Sequence, residues 1–310
     1  MQRSQPRGGR ITRGRRLPLA RGAPAGKVRA TPAAGYTPLM RKTTIGSIEM
    51  TALVDLQQSY PAGAVYPNVG DFGPYARHLK AGGTVTLNFA SFLVRDGATL
   101  LLVDTGWGPE HEGKLLFELA EAGVKPGEVT HVLFTHLHGD HTGWNIDRQS
   151  GRPIFSRARH FVPKADWDYY SAQAEEAKNA GKPWMGSFHR DVLPLEAAGL
   201  VELLDGEKTI SSGLTAIPTP GHTPGHTSVV ITSGNERGLV LGDVVITPVD
   251  AENPELANSF DWDNGIALRT RRQLVERLIN DGSLVGASHL PAPGLGRFVR
   301  VDGKQCWQGL

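Results

Sequence analysis

Apolar and polar positions along the chain fall into three kinds of run. Short blocks of consecutive apolar, often β-branched residues recur at 99–104 (TLLLVD), 131–135, 214–217, 228–231, 239–241 and 284–287. Such blocks are what strands covered on both faces require. Partial alternation over 45–55 and 84–94 (TVTLNFASFLV) predicts two longer strands. Helical spacing marks 114–122, closed by Gly123, then the charged stretch 165–180, and 268–279. The stretches 56–83 and 181–195, broken by Gly and Pro, read as long loops. Strand runs separated by helices predict a layered α/β architecture with two sheets inside. No repeat or linker interrupts residues 41–310, which read as one domain.

Charge divides the chain unevenly. The first thirty residues carry nine of the 33 Lys and Arg and no acid, so the remainder is negative by about seven charges. Residues 1–40 therefore read as a basic, disordered extension that activity does not need. An Arg-rich transit peptide is the competing reading; the stretch after Arg15-Arg16 is too short and too little apolar for an export signal. A cytoplasmic location is expected, with export left open by that extension. A negative body argues against nucleic acid as a partner. No apolar run reaches the roughly 18 residues that span a bilayer, so no membrane association is expected. Cys306 stands alone, which excludes an intrachain disulfide and a thiolate metal cluster.

The chemistry concentrates in 135–143, Thr-His-Leu-His-Gly-Asp-His-Thr-Gly, directly after a predicted buried strand. It sets His136, His138, Asp140 and His141 within six positions. Imidazole nitrogen and carboxylate oxygen are the donors that Zn²⁺ and similar ions accept. Further pieces follow apolar strands: Asp104-Thr105-Gly106 upstream, then Gly221-His222-Thr223-Pro224-Gly225-His226, Gly242-Asp243 and Ser288-His289-Leu290-Pro291. Each piece alone is weak; their order along the chain is what carries weight.

This ordered set resembles the His-x-His-x-Asp-His signature and companion motifs of the metallo-β-lactamase superfamily, over about residues 45–295. The resemblance implies a four-layer αββα sandwich with the site at one edge. It implies one divalent ion held by His136, His138 and His222, a second held by Asp140, His141 and His289, and Asp243 bridging the two. It makes Asp104 the carboxylate behind a ligand histidine, and His226 a neighbour rather than a ligand. Two cations roughly 3.5–4 Å apart need an anionic bridge, and bound water acidified toward a pKa of about 7 supplies hydroxide as nucleophile. Asp140 is the candidate proton donor to the leaving group, beside Asp243 as the second catalytic carboxylate. Zinc is the default ion; Mn, Fe and Co suit the same donors.

The Thr-Gly-Trp-Asn end of the histidine loop and the segment Ser-His-Leu-Pro-Ala-Pro-Gly-Leu-Gly look most like the group containing methyl parathion hydrolase and quorum-quenching lactonases. The expected activity is hydrolysis of a lactone, carboxylic ester or phosphotriester, all small-molecule substrates. A β-lactam or thioester hydrolase of the glyoxalase II type is the alternative, and a non-hydrolytic metal-binding scaffold or sensor the alternative of another class. Acyl-homoserine lactonases often place a tyrosine just past the bridging aspartate; here Val244-Val245-Ile246 offers no hydroxyl, and a tyrosine from elsewhere would have to serve. Tyr60, Tyr66, Phe72, Trp144 and Trp184 are the candidate pocket residues, with pinning of loops as their competing role. A homodimer is left open.

Overall fold

The computed structural model describes residues 41–181 and 186–310. Two seven-stranded sheets face one another. The first runs, in spatial order, β1 (Arg41–Ile45), β2 (Ile48–Pro61), β3 (Thr84–Asp96), β4 (Thr99–Val103), β5 (His131–Leu133), β6 (Arg159–Pro163) and β7 (Val201–Leu204). Its first four strands are antiparallel neighbours and β4 to β7 are parallel. The second runs from β8 (Lys208–Ser211), β9 (Leu214–Pro218), β10 (Thr227–Ser233) and β11 (Glu236–Val240) to β12 (Leu284–Gly286), β13 (Leu295–Val301) and β14 (Lys304–Gly309). Only β11 and β12 pair in parallel there, joined through the long helix α7 (Asn264–Asp281). The shorter helices are α1 (Ala62–Val65), α2 (Leu115–Glu121), α3 (Gly139–Thr142), α4 (Lys164–Asn179), α5 (Leu193–Ala197) and α6 (Pro248–Glu252).

Three apolar clusters account for four layers. Met50, Ala52, Phe92, Val94 and Leu101 of one sheet meet Leu214, Val229, Ile231 and Val240 of the other. On the outer face of the first sheet, Leu53, Leu100 and Leu102 pack on Leu115 and Leu119 of α2. On the outer face of the second, Leu239, Val285 and Phe298 pack on Leu274, Val275 and Leu278 of α7. This double coverage explains why β4, β5 and β12 are wholly apolar. The αββα sandwich expected from the sequence is the fold observed.

Two expectations are corrected. The described residues 186–195 of the stretch 181–195 are not one loop: a π-helical turn spans Phe188–Val192 and runs directly into α5. The stretch 56–83 is not one long loop: β2 continues to Pro61 and pairs with β3 down to Thr84, α1 follows, and a 3₁₀ turn spans Gly73–His78. The cause is a β-bulge at Asp55, between Val54 and Leu56, which adds one unpaired residue. Before it, Met50, Ala52 and Val54 face the inter-sheet core. After it, Leu56 and Tyr60 join Leu87 and Phe89 in a separate apolar cluster. The bulge thus breaks the alternation that would have marked the strand and re-aims Tyr60. The strands β1, β6, β7, β8, β13 and β14 also lay outside the sequence reading, being short or interrupted by charged and polar residues. The basic extension at 1–40 lies outside the described residues.

Candidate metal centre

Every candidate ligand sits on a loop or short helical turn past the carboxyl end of a strand, Asp140 and His141 on α3. His136, His138, Asp140 and His141 follow β5; His222 follows β9; Asp243 follows β11; His289 follows β12. Strand ends deliver side chains to a fixed place because the ladder beneath cannot shift without losing its core. Loops then turn sharply enough to point several side chains inward.

The structure gathers these residues into two adjoining groups, His136, His138 and His222 in one, Asp140, His141, Asp243 and His289 in the other, with donor atoms within 4.8 Å of one another in each. In the first group, His138 Nδ1 lies 2.9 Å from His136 Nε2 and 3.0 Å from His222 Nε2. In the second, Asp243 Oδ2 lies 2.9 Å from His289 Nε2, and Asp140 Oδ2 lies 3.5 Å from both His141 Nε2 and His289 Nε2. Asp243 also spans the groups, with Oδ2 3.3 Å from His222 Nε2 and Oδ1 3.4 Å from His141 Nε2.

The electrostatics follow from burial. Burial, reinforced by the neighbouring imidazoles, holds His136 well below the usual histidine range and His138 down to about 4. Both are neutral at pH 7 and offer lone pairs. Burial opposes the charged form of His141 too, but the carboxylates of Asp243, Asp104 and Asp140 outweigh it and raise the group well above its ordinary value. His141 Nε2 and Asp243 Oδ1 are buried without a hydrogen-bond partner. Orphaned donors of this kind are costly unless something else binds them. Converging neutral imidazoles, two carboxylates and two orphaned atoms fit a pair of divalent cations.

The far nitrogens of the histidines are held as well. His141 Nδ1 lies 2.8 Å from Asp104 Oδ2, and Asp104 also accepts from the Thr135 N–H and hydroxyl at 2.7 and 2.8 Å. His289 Nδ1 donates to the Asn88 carbonyl at 2.7 Å. His226 points its Nε2 at the Asp243 backbone N–H, 2.9 Å away, and so orients that turn from outside both groups. Two buried carboxylates escaped the sequence reading. Asp166, in the first turn of α4, accepts from Leu137 N–H, the Thr223 hydroxyl and Gly225 N–H, tying the two histidine loops together. Asp261 lies 3.1 Å from His222 Nδ1. Neither has a local motif; Asp166 reads only as an acid in an exposed helix.

A cavity of about 420 Å³ opens onto this centre. His138, Asp140, His222, Asp243 and His289 line it together with the apolar side chains of Leu87, Phe89, Trp107, Ile246 and Phe260. Of the four candidate pocket residues among the described residues, Tyr60 alone lines it. Tyr66 is buried elsewhere, its hydroxyl donating to Asp250 at 2.9 Å, and Phe72 packs against the same cluster. Trp144 is buried beneath the loop, with Nε1–H donating to Asp55 at 2.9 Å. Trp184 lies outside the described residues. The missed wall residues Leu87, Phe89 and Ile246 read as ordinary core positions, since a pocket wall and a core share one composition.

A model of the metallo-β-lactamase superfamily matches residues 89–280. The chain belongs to the metallo-β-lactamase superfamily. Within this superfamily it is 22% identical over 233 residues to an N-acyl homoserine lactonase of Bacillus cereus, covering 68% of this chain and 84% of that protein. It is 34% identical over 170 residues to metallo-beta-lactamase domain-containing protein 1 of Xenopus laevis, covering 54% of each. Among solved structures, the dizinc quorum-quenching lactonase AidC superposes with a TM-score of 0.75 at 24% identity, covering 87% of this chain and 97% of that one. Hydrolase AbOPH of the beta-lactamase superfamily gives 0.75 at 25% identity, covering 89% and 98%. Among the described residues no helix is long and apolar enough to cross a membrane.

Proposed function

We propose that the protein is a dinuclear metal-dependent hydrolase whose preferred substrates are lactones and other activated carboxylic esters, with phosphotriesters as chemically related substrates. One observation carries this reading: a cavity lined both by members of the two histidine–aspartate groups and by apolar side chains. Such a cavity suits an electrophilic centre attached to a hydrocarbon or aryl group. The named activities of the relatives add the preference for lactones.

His136, His138 and His222 would hold one ion, Asp140, His141 and His289 the other, with Asp243 shared between them. A bound pair of divalent ions supplies hydroxide at neutral pH and polarises the attacked carbonyl or phosphoryl oxygen. The chain's own side chains do the rest. Phe89, Trp107 and Ile246 hold the substrate's apolar part and exclude water from it. Among the described residues, Tyr60 is the one lining residue with a hydroxyl. Burial and the nearby Asp140 charge raise its phenol above the ordinary value, so it stays a donor at neutral pH. It donates to a substrate oxygen, serving where Val244-Val245-Ile246 has no hydroxyl. Burial favours the neutral carboxyl of Asp140, but the neighbouring His141 and His289 outweigh it and keep it ionised at neutral pH; its Oδ2 takes the proton of the attacking hydroxide and passes it to the leaving oxygen. Zinc is the proposed ion.

The test is elemental analysis and a substrate panel on one preparation: N-acyl lactones of graded chain length, aryl esters, phosphotriesters, a thioester and nitrocefin. Two ions per chain with lactones or esters turned over fastest is the expected result. Preference for nitrocefin or the thioester would move the substrate class, and two ions with no turnover would make the protein a metal-binding scaffold. Asp140→Asn should lower kcat most on substrates with poor leaving groups.

A further inference from the structure

The segment 253–263 between α6 and α7 supplies the lining residue Phe260 and, one position on, Asp261, whose side chain is buried. Asp261 Oδ1 lies 3.1 Å from His222 Nδ1, and Oδ2 accepts from Arg271 Nη2 at 2.9 Å. Arg271, on α7, has a side chain 1% exposed, as has Asp261. Its Nε donates to the Val244 carbonyl at 2.7 Å, and Nη1 to the Leu256 carbonyl at 2.8 Å. Val244 directly follows Asp243. One guanidinium therefore grips the turn that carries Asp243 and the carboxylate that contacts His222.

The backbone repeats the same grip. Trp262 N–H donates to the His222 carbonyl and Asp263 N–H to the Gly221 carbonyl, both at 3.0 Å, and the Thr270 hydroxyl donates to the Pro220 carbonyl at 2.7 Å. Gly221, at φ +135°, approaches α7 so closely that a Cβ would sit 2.3 Å from the Ala267 backbone. Two charges taken fully out of water repay their desolvation poorly as a source of stability, and apolar residues of similar volume often serve as well. What the pair supplies that apolar residues cannot is direction: a carboxylate fixed at both oxygens orients one imidazole.

We propose that Asp261 is a positioning residue for His222, locked by Arg271, and that this pair sets the mutual placement of His222 and Asp243; the proposal rests on the dinuclear reading above. With Nδ1–H donated to Asp261, the bare Nε2 must face His138 and Asp243. Carboxylates behind ligand histidines typically carry about 10–100-fold in metal affinity or activity.

The experiment is competition of zinc-loaded protein against a graded chelator, with kcat and KM measured alongside. Asp261→Asn should bind zinc about 10–100-fold more weakly and lose kcat with KM little changed. Affinity within about twofold of the parent, with two ions bound by the parent, overturns this inference and leaves the dinuclear reading intact; a parent that binds fewer than two ions overturns that reading instead. Should Asp261→Asn not fold, the paired replacement Asp261→Leu with Arg271→Met removes both buried charges at once. A folded pair variant with weakened zinc binding supports the role, and one with parental affinity refutes it. On the unaltered zinc-loaded protein, long-range ¹⁵N–¹H NMR of His222 should find its Nδ1–H far downfield and slow to exchange. An Nδ1–H exchanging as fast as that of a free imidazole refutes the contact whatever the variants do.

Discussion

Replacing Asp55 by alanine should destabilise the fold by about 4 kcal/mol without touching a candidate ligand. The Asp55 carboxylate, fully buried at the β-bulge, accepts from Trp107 N–H at 2.7 Å, Leu115 N–H at 2.8 Å and Trp144 Nε1–H at 2.9 Å. Those donors start the pocket loop, open helix α2 and anchor the residue that follows the histidine loop. The surroundings leave no room for another arrangement: a Cβ on Gly106 or Gly113 would sit 2.6 or 2.5 Å from a carboxylate oxygen. Alanine leaves three donors unpaired, each costing about 1–3 kcal/mol when buried. Taking the lower half of that range for each gives about 4 kcal/mol, a large share of the 5–15 kcal/mol or so that holds a typical domain. At about 2–4 °C per kcal/mol for a domain of this size, the melting temperature should fall by about 8–16 °C. Asp55→Asn keeps one acceptor and should lose about half as much. Urea unfolding followed by tryptophan fluorescence measures the difference directly. In the folded fraction, looser seating of Trp107 should raise KM for apolar substrates while the metal content stays the same. A loss under 1 kcal/mol in Asp55→Ala would refute the reasoning, since it would mean that water or a shifted loop satisfies those donors at no cost.

Stripping the ions with a chelator should lower the melting temperature and abolish turnover, and zinc should restore both; an ion held at a thousandfold over its dissociation constant contributes about 4 kcal/mol, so an unchanged melting temperature in protein shown to lose two ions would contradict the coupling. Tyr60→Phe should lower kcat/KM on a lactone about tenfold, near the 1.4 kcal/mol of one hydrogen bond, with zinc content unaltered; parental kinetics would remove Tyr60 from the site. His160 is buried on β6, and burial outweighs the opposing Ala158 carbonyl and holds it down to about 4. Because its folded value lies below the unfolded value, the unfolded chain takes the proton first, and stability falls as pH drops from about 6.5 toward 4, by up to about 3 kcal/mol. His160→Leu should flatten that acid limb in urea titrations from pH 7 to 4, and an identical limb in both proteins would exclude His160 as its source.

The site was legible where chemistry and sequence spacing coincide. His136, His138, Asp140 and His141 occupy one loop, so their convergence needed only the strand before them. His222, Asp243 and His289 were legible through the resemblance of their motifs to the family's, and each lies within four residues of the end of a short strand, where a sandwich gathers side chains. The helices α2, α4 and α7 announced themselves by the spacing of apolar and charged residues. The pocket wall did not. Leu87, Phe89 and Ile246 are apolar positions on or beside strands, and nothing in their spacing distinguishes a face that lines a cavity from one that meets another layer. Trp144 failed for the reverse reason: adjacency in sequence to the histidine loop was taken as adjacency to the cavity, while its indole N–H was drawn inward to the buried Asp55.

The partners behind the histidines mark the boundary most sharply. Asp104 could be anticipated because it ends the strand beside β5, so pairing alone brings it to His141. Asn88 holds His289 with a backbone carbonyl, which any residue there would supply, so no side-chain pattern could have signalled it. Asp261 and Arg271 lie on a connecting segment and a helix whose docking is fixed by the Gly221 approach and by α7 packing on the second sheet. Their pairing is a property of the assembled layers. A sequence therefore discloses the donor atoms of such a centre more readily than the bonds that aim them. If aim rather than donor identity limits metal affinity, substitutions at Asp261 and Arg271 should cost far more than their distance along the chain from the histidine loop suggests.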